Sequence, residues 1–177
     1  MLLKWYNGYK WGENMFEVGQ IVVHHEYGLC KIKDIELISY VNKKYFIMYP
    51  LDNDDTKIMV PCDNASNMCR KLISKGECLE IINSIDGLDD TYILDNKRRK
   101  EESLKLLQSD NLLDVAKLIK TLKNLFKDKN EQNKAIGTID SSIYNEARKK
   151  LFSEIGYVLG IDTFEEVEAL IVSKEQA

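Results

Sequence analysis

A change in hydrophobic period near Pro61 constrains the fold of this chain more than any other feature. From Met15 to about Pro61, apolar and polar residues alternate with a period of about two, which is typical of β-strands. After Pro61 the apolar residues recur about every 3.6 positions, the pattern of amphipathic helices. The sequence therefore predicts an α+β protein with a small β-rich domain at residues 15–66 and an all-helical domain at residues 67–177.

Short strand-like runs with turn signals between them make up the first of these segments. The runs are residues 20–24, 29–38, 44–51 and 57–60. In the second run Cys30, Ile32 and Asp34 alternate with Lys31, Lys33 and Ile35, and turn-forming residues occupy 26–28, 41–43 and 52–55. Four or five strands of this length predict a small curled sheet or barrel, and Pro50 favours an edge strand or a bulge.

Helical patterns fill the rest of the chain. We expect helices at residues 63–73, 77–85, 91–108, 111–126 and 141–159, and a last one that begins at Asp162 or Thr163. Asp63 or Asn64 can cap the first helix, Gly87 can end the second and Gly160 the fifth. The fourth helix carries one apolar stripe, so it should pack in the core of the helical domain.

Several classes of function are disfavoured by what the sequence lacks. No apolar run is long enough to span a membrane, and no phosphate-binding glycine loop, nucleophile elbow or zinc-protease motif occurs. Cys30, Cys62, Cys69 and Cys78 form no CxxC pair, and His24 and His25 should point to opposite faces of a strand. We therefore predict a cytoplasmic protein with free thiols that is not an enzyme and has no catalytic residue, metal, cofactor, small-molecule substrate or membrane partner.

The first fourteen residues precede the alternating pattern and have no continuous apolar core of a signal peptide. Residues 11–15 back-translate to a purine-rich string that can contain a ribosome-binding site just before the codon for Met15. We therefore expect Met15 to be the native start and residues 1–14 to be a translated leader or a disordered extension.

Positive charge is concentrated in one part of a chain whose net charge is −4. Residues 97–130 hold ten Lys and Arg against five Asp and Glu, centred on the run Lys97–Lys100. Lys117, Lys120, Lys123, Lys127 and Lys129 lie behind this run in the sequence. Such a run can be a solvated helix face paired with Glu101 and Glu102, or it can contact phosphates.

Short segments in a characteristic order resemble the CarD/CdnL family of bacterial transcription regulators. They are Phe16-x-Val18-Gly19-x-x-Val22-Val23, Tyr27-Gly28, Val60-Pro61-x-Asp63-Asn64-Ala65, Arg98-Arg99, Leu104-x-x-Leu107-x-Ser109-Asp110, Val115-Ala116 and Ala147-Arg148-x-x-Leu151-x-x-Glu154-Ile155. The resemblance covers residues 15 to about 172. It implies a Tudor- or SH3-like N-terminal domain, followed by a helical domain.

The resemblance also implies that the N-terminal domain docks on the β subunit of RNA polymerase by pairing sheet edges. The matching positions are Ile35, Glu36, Leu37, Ile38, Lys57, Ile58, Met59 and Val60. Relatives often carry arginines where this chain has Met59 and Ile38. Apolar and backbone contacts would then replace ionic ones.

For the helical domain, the resemblance implies weak, largely sequence-independent contact with promoter DNA at the upstream edge of the bubble, which modulates open-complex stability. The expected DNA-binding residues are Asn96, Lys97, Arg98, Arg99 and Lys100. Asn96 stands where relatives have a tryptophan wedge, so we expect weaker open-complex stabilisation unless Tyr92 substitutes. The alternative function is a protein-interaction adaptor that binds polymerase or another partner without touching DNA.

Overall fold

The computed structural model describes residues 16–174, so the expected leader at residues 1–14 lies outside the described part of the chain. The chain divides into two compact units, the first ending at Lys71 and the second beginning at Leu72. Strands dominate the first unit and helices the second, which confirms the α+β class. The boundary lies a few residues beyond the predicted end of the β-rich domain at residue 66.

An antiparallel five-stranded sheet forms the first unit. Its strands are β1 (Ile21–His24), β2 (Gly28–Ile38), β3 (Lys43–Pro50), β4 (Ile58–Pro61) and β5 (Cys69–Lys71). They lie in the order β4-β3-β2-β1-β5, and the two edge strands do not pair with each other. The sheet therefore has two edges and is not the closed form of the predicted barrel.

One core cluster draws buried side chains from all five strands. It contains Phe16, Val22, Cys30, Ile32, Phe46, Met48, Ile58, Val60, Ala65 and Cys69. A register shift between Ile32 and Asp34 interrupts the alternation of β2. Such a bulge places two residues opposite one, so Ile35, which the strict alternation placed on the opposite face, packs against the core and Asp34 is exposed.

The segment after β4 corrects the predicted helix at residues 63–73. A single 3₁₀ turn at Cys62–Asn64 leads into the short helix α1 (Ala65–Met68), and β5 follows at once. β5 pairs with β1, with Cys69 opposite His24, and the Cys69 side chain is buried in the sheet core. Pairing with β1 and burial of Cys69 override the weak helical signal of this stretch, because helix propensity is only a weak prior.

Five helices form the second unit: α2 (Lys75–Ser84), α3 (Asn96–Gln108), α4 (Leu112–Glu131), α5 (Thr138–Leu159) and α6 (Phe164–Lys174). Ser74 and Glu77 form a capping box at the start of α2. Asp95 caps α3 by accepting a hydrogen bond from the Arg98 N–H, so this helix begins at Asn96 and not at residue 91 as predicted. Gly160, with φ 72°, ends α5 as expected.

The core of the helical unit is continuous and apolar, with the stripe of α4 at its centre. Buried members of α4 are Leu112, Val115, Ala116, Leu118, Leu122 and Leu125. Within residues 16–174, no helix is both long and apolar enough to cross a membrane.

All four cysteines are free thiols, in agreement with the sequence analysis. Cys30, Cys69 and Cys78 are buried. Burial raises the pKa of Cys30 to about 12 and that of Cys69 to about 11. Because the thiolate is the reactive form, these thiols are poor nucleophiles.

Candidate protein-docking edge and nucleic-acid interface

Strand β4 forms one edge of the sheet, because β3 is its only neighbour in the described part of the chain. Its side chains alternate: Ile58 and Val60 are buried in the core, whereas Met59 is 40% exposed. In an edge strand, alternate residues direct backbone N–H and C=O groups away from the sheet. The predicted docking residues of this segment therefore lie where a partner strand can pair.

The second predicted docking segment, residues 35–38 of β2, pairs with β3 but extends beyond β1. Strand β1 pairs with residues 28–31 of β2, so no strand of the described residues 16–174 covers the far side of this segment. Leu37 is 55% exposed, and the other three residues of the segment are half-buried. The two docking segments thus flank β3 and are not adjacent strands.

An ion pair connects these two segments across β3. The Lys57 Nζ lies 3.1 Å from Glu36 Oε1, and both side chains are about two-fifths exposed (43% and 41%). An exposed pair of this kind contributes less than about 1 kcal/mol to stability. It does neutralise the charged side chains of the predicted docking residues, so the exposed side chains left there, Met59 and Leu37, are apolar.

The predicted DNA-binding residues occupy the first turns of α3. Asn96, Lys97, Arg98 and Lys100 are exposed, whereas Arg99 is only 5% exposed. Successive residues of a helix are about 100° apart, so one member of a four-residue run must point inward when the helix packs on a core. The structure gives that place to Arg99.

Arg99 makes a complete set of hydrogen bonds inside the helical unit. Its Nε and Nη2 donate to the two carboxylate oxygens of Asp140 at 3.1 and 2.8 Å. Its Nη2 also donates to Asn96 Oδ1 at 2.7 Å, and its Nη1 donates to the carbonyls of Ile93 and Leu94 at 2.8 and 3.1 Å. This guanidinium has no donor left for a phosphate, which argues against the predicted DNA contact of Arg99.

The other three cations of the run remain available. Within the described part of the chain, no hydrogen bond or ion pair engages the charged groups of Lys97, Arg98 or Lys100. Lys97 and Lys100 are about 60° apart around the helix and share a face. Glu102, which could have paired with the run, binds Lys105 at 2.7 Å instead.

Three lysines of α4 make ion pairs or hydrogen bonds within the helical unit. Lys117 pairs with Asp89 at 3.3 Å, and Lys129 lies 3.7 Å from the Asp140 carboxylate. Lys120 Nζ donates to three carbonyls at the end of the 3₁₀ turn after α2, those of Ile85, Asp86 and Leu88. The sequence grouped these lysines with the basic run, but their partners give them structural roles.

Each of the two units matches the model of a known protein domain. The CarD-like/TRCF RID domain model matches residues 16–73, and the CarD C-terminal domain model matches residues 80–172. The chain belongs to the CarD-like family. This is a family of transcription factors that interact with RNA polymerase, and its domains are regulatory, not catalytic. A search of curated proteins found no match.

Two residues in front of α3 bear on how this CarD-like chain could meet nucleic acid. The Tyr92 hydroxyl donates to Asp128 at 2.7 Å and its ring packs against the core, so Tyr92 does not project as a wedge. Leu94 is 82% exposed, and sequence reasoning missed it. The available signal was an apolar residue directly before the cap Asp95, outside every helical stripe.

Proposed function

We propose that this protein docks on the β subunit of RNA polymerase in the cytoplasm and contacts promoter DNA near the upstream edge of the bubble, where it modulates the stability of the open complex. The observation that carries the proposal is the exposed and unpaired trio Lys97, Arg98 and Lys100 at the start of α3, among the described residues. This trio stands on the C-terminal domain of a chain that also carries the polymerase-interacting domain type of its family.

Docking would proceed by addition of a strand to β4. Backbone hydrogen bonds from an edge strand provide affinity with little dependence on the partner's sequence. Met59 would supply an adaptable apolar contact, and Leu37 a second one on the other side of β3. This mode suits a surface whose two charged side chains, Glu36 and Lys57, already pair with each other.

Contact with DNA would be weak and largely independent of sequence. Three lysine and arginine side chains can neutralise about three phosphates, and the affinity gained in this way depends strongly on salt. Tethering to polymerase raises the local concentration of promoter DNA, so weak contacts suffice. A protein with a net charge of −4 can therefore still act on DNA.

Leu94 would provide the apolar part of this contact. Proteins that bind distorted DNA insert apolar side chains, leucine among them, between base steps of the minor groove. Leu94 is exposed beside the basic trio, whereas the Asn96 amide oxygen is held by Arg99 and Tyr92 packs on the core. A leucine is smaller than a tryptophan, so we expect modest stabilisation of the open complex.

The alternative, a protein-interaction adaptor that binds polymerase or another partner without contacting DNA, is favoured by one observation. Much of the positive charge of α4 is engaged inside the helical unit, which leaves a small basic surface on an acidic protein. The basic trio distinguishes the two functions, because an adaptor does not need it.

The docking proposal is tested by measuring binding of the full chain to the purified β-subunit lobe, by calorimetry. We expect Met59→Asp to weaken binding about tenfold, because a charge placed on the paired edge must be desolvated. Val18→Asp is a matched control, since Val18 is also exposed, at 52%, and lies before β1, away from β4. Equal affinity of the two variants, or no binding by the unmodified protein, would overturn docking through β4.

A further inference from the structure

The guanidinium of Arg99 has all five of its N–H donors engaged. Two bonds go to Asp140, near the start of α5, and two go to the carbonyls of Ile93 and Leu94 in front of α3. The fifth goes to Asn96, the first residue of α3. One side chain thus joins the loop before α3, the start of α3 and the start of α5.

The hydrogen-bond partners of Arg99 before and at the start of α3 belong to, or lie next to, exposed residues of the candidate interface. It binds the backbone of Leu94, whose side chain is 82% exposed. It is also the next residue along the helix from Arg98 and lies between Arg98 and Lys100. A bidentate pair with a buried carboxylate fixes direction as well as distance. The orientation of Leu94 and of the basic trio therefore depends on Arg99.

We propose that Arg99 is a positioning residue, which does not touch nucleic acid but holds residues 93–98 in the conformation that meets it. This inference rests on the proposed DNA contact. It differs from the sequence-based interpretation, in which Arg99 is one of the expected DNA-binding residues. In that interpretation only the positive charge of Arg99 matters for DNA binding. In the proposed role, the planar arrangement of its five N–H donors matters.

Replacement by lysine separates the two interpretations. Lysine keeps the positive charge, but it has a single ammonium with three donors and cannot span Asp140, Asn96 and two carbonyls at once. If Arg99 acted by charge, Arg99→Lys would bind DNA nearly as well as the unmodified protein. If it acts by positioning, the variant should lose affinity although its net charge is unchanged.

Arg148→Lys is a matched control in the same helical unit. Arg148 also makes an ion pair, with Glu168 at 2.7 Å, and it lies on α5 outside the candidate interface. The control therefore has the same chemical change and also weakens an ion pair, a more exposed one than that of Arg99. A general loss of stability would affect both variants.

Two measurements are made on the full chain, at a temperature where circular dichroism shows each variant to be folded. The first is backbone hydrogen exchange of the peptide covering residues 93–98, by mass spectrometry. The second is binding to a fluorescein-labelled DNA duplex with a short unpaired bubble. We expect Arg99→Lys to exchange faster in this peptide and to bind about fivefold more weakly, and Arg148→Lys to change neither by more than about twofold.

Unchanged exchange, or faster exchange with unchanged DNA affinity, would overturn the inference. If Arg99→Lys does not fold, Asn96→Ala replaces it, because this change removes one exposed acceptor of Arg99. The same two changes are then expected, and their absence counts against the inference in the same way. No DNA binding by the unmodified protein would overturn the proposed DNA contact itself, whatever the exchange data show about Arg99.

Discussion

The two candidate surfaces of this protein use their charged residues in opposite ways. On the sheet unit, Glu36 and Lys57 neutralise each other and leave apolar side chains at the docking edge. On the helical unit, Asp140 neutralises one member of a basic run, and Lys97, Arg98 and Lys100 remain exposed without a partner among the described residues. Pairing within each set of charged residues thus leaves an apolar edge in one unit and a basic surface in the other.

This difference teaches that the charges left unpaired at a surface, and not the net charge of the protein, determine what that surface can bind. An apolar edge with open backbone groups should bind protein with little dependence on salt. A small basic surface should bind phosphates with strong dependence on salt, because binding releases counterions. The expected effects below test this contrast, from the largest to the smallest.

The buried pair should contribute far more to stability than the exposed pair. Asp140→Ala leaves the Arg99 charge buried without its carboxylate, which costs about 3–5 kcal/mol of unfolding free energy. Glu36→Ala removes the exposed pair and should cost less than about 1 kcal/mol. Urea unfolding followed by circular dichroism measures both, and similar losses in the two variants would contradict the contrast.

The basic trio should determine the salt dependence of DNA binding. We expect Lys97→Ala, Arg98→Ala and Lys100→Ala, combined in one variant, to weaken binding to the bubble duplex about tenfold or more. The slope of log affinity against log salt should also decrease by up to about 3. Binding of the same variant to the polymerase lobe should be unchanged. Undiminished DNA binding would favour the adaptor function.

A smaller effect on stability is expected from His24, a buried titratable residue of the sheet unit. His24 is 3% exposed, and its Nδ1 accepts hydrogen bonds from the N–H groups of Glu26 and Tyr27 at 3.1 and 3.4 Å. Burial lowers the pKa of His24 from 6.5, the nearby charge of Glu26 opposes this, and His25 adds to it. The folded protein therefore binds this proton less readily than the unfolded chain does.

The sign of the pH effect follows from that difference. Between the lowered pKa and 6.5 the unfolded state binds more protons, so stability decreases as the pH falls through this window. His24→Asn keeps an acceptor near the Nδ1 position and should flatten the dependence, whereas His25→Asn, at an exposed site, should preserve most of it, because burial of His24 is the largest cause of its lowered pKa. Urea midpoints between about pH 7.5 and pH 5.5 measure this, and equal slopes in the two variants would exclude His24 as the origin.

Patterns in the sequence predicted most of the architecture. The switch from alternation to a helical period near Pro61 separates sheet from helices, and the apolar stripe of α4 lies in the core as expected. These predictions succeed because they depend on many residues that agree, so that one unusual position does not change the result. The order of short family-like segments led to the family in the same way.

Single positions were harder to predict. The strand β5 spans only Cys69–Lys71, too few residues to show a period, and it forms because β1 offers an edge and the core accepts Cys69. The bulge in β2 reverses which of Asp34 and Ile35 meets the core, and alternation alone does not indicate where it falls. Leu94 lies inside the helix that the sequence predicts at residues 91–108, whereas α3 begins only at Asn96, so the pattern did not separate Leu94 from the helical residues.

The basic run at residues 97–100 shows what the sequence determines and what only the tertiary structure decides. The sequence alone determined that four consecutive cations lie within a helix of an acidic chain, because residue identity and helical period are local properties. Only the tertiary structure decided that Arg99 is an internal residue and the other three are surface residues. The physical reason is that the partner of Arg99, Asp140, is forty-one positions away along the chain and comes into contact only when α3 and α5 pack together.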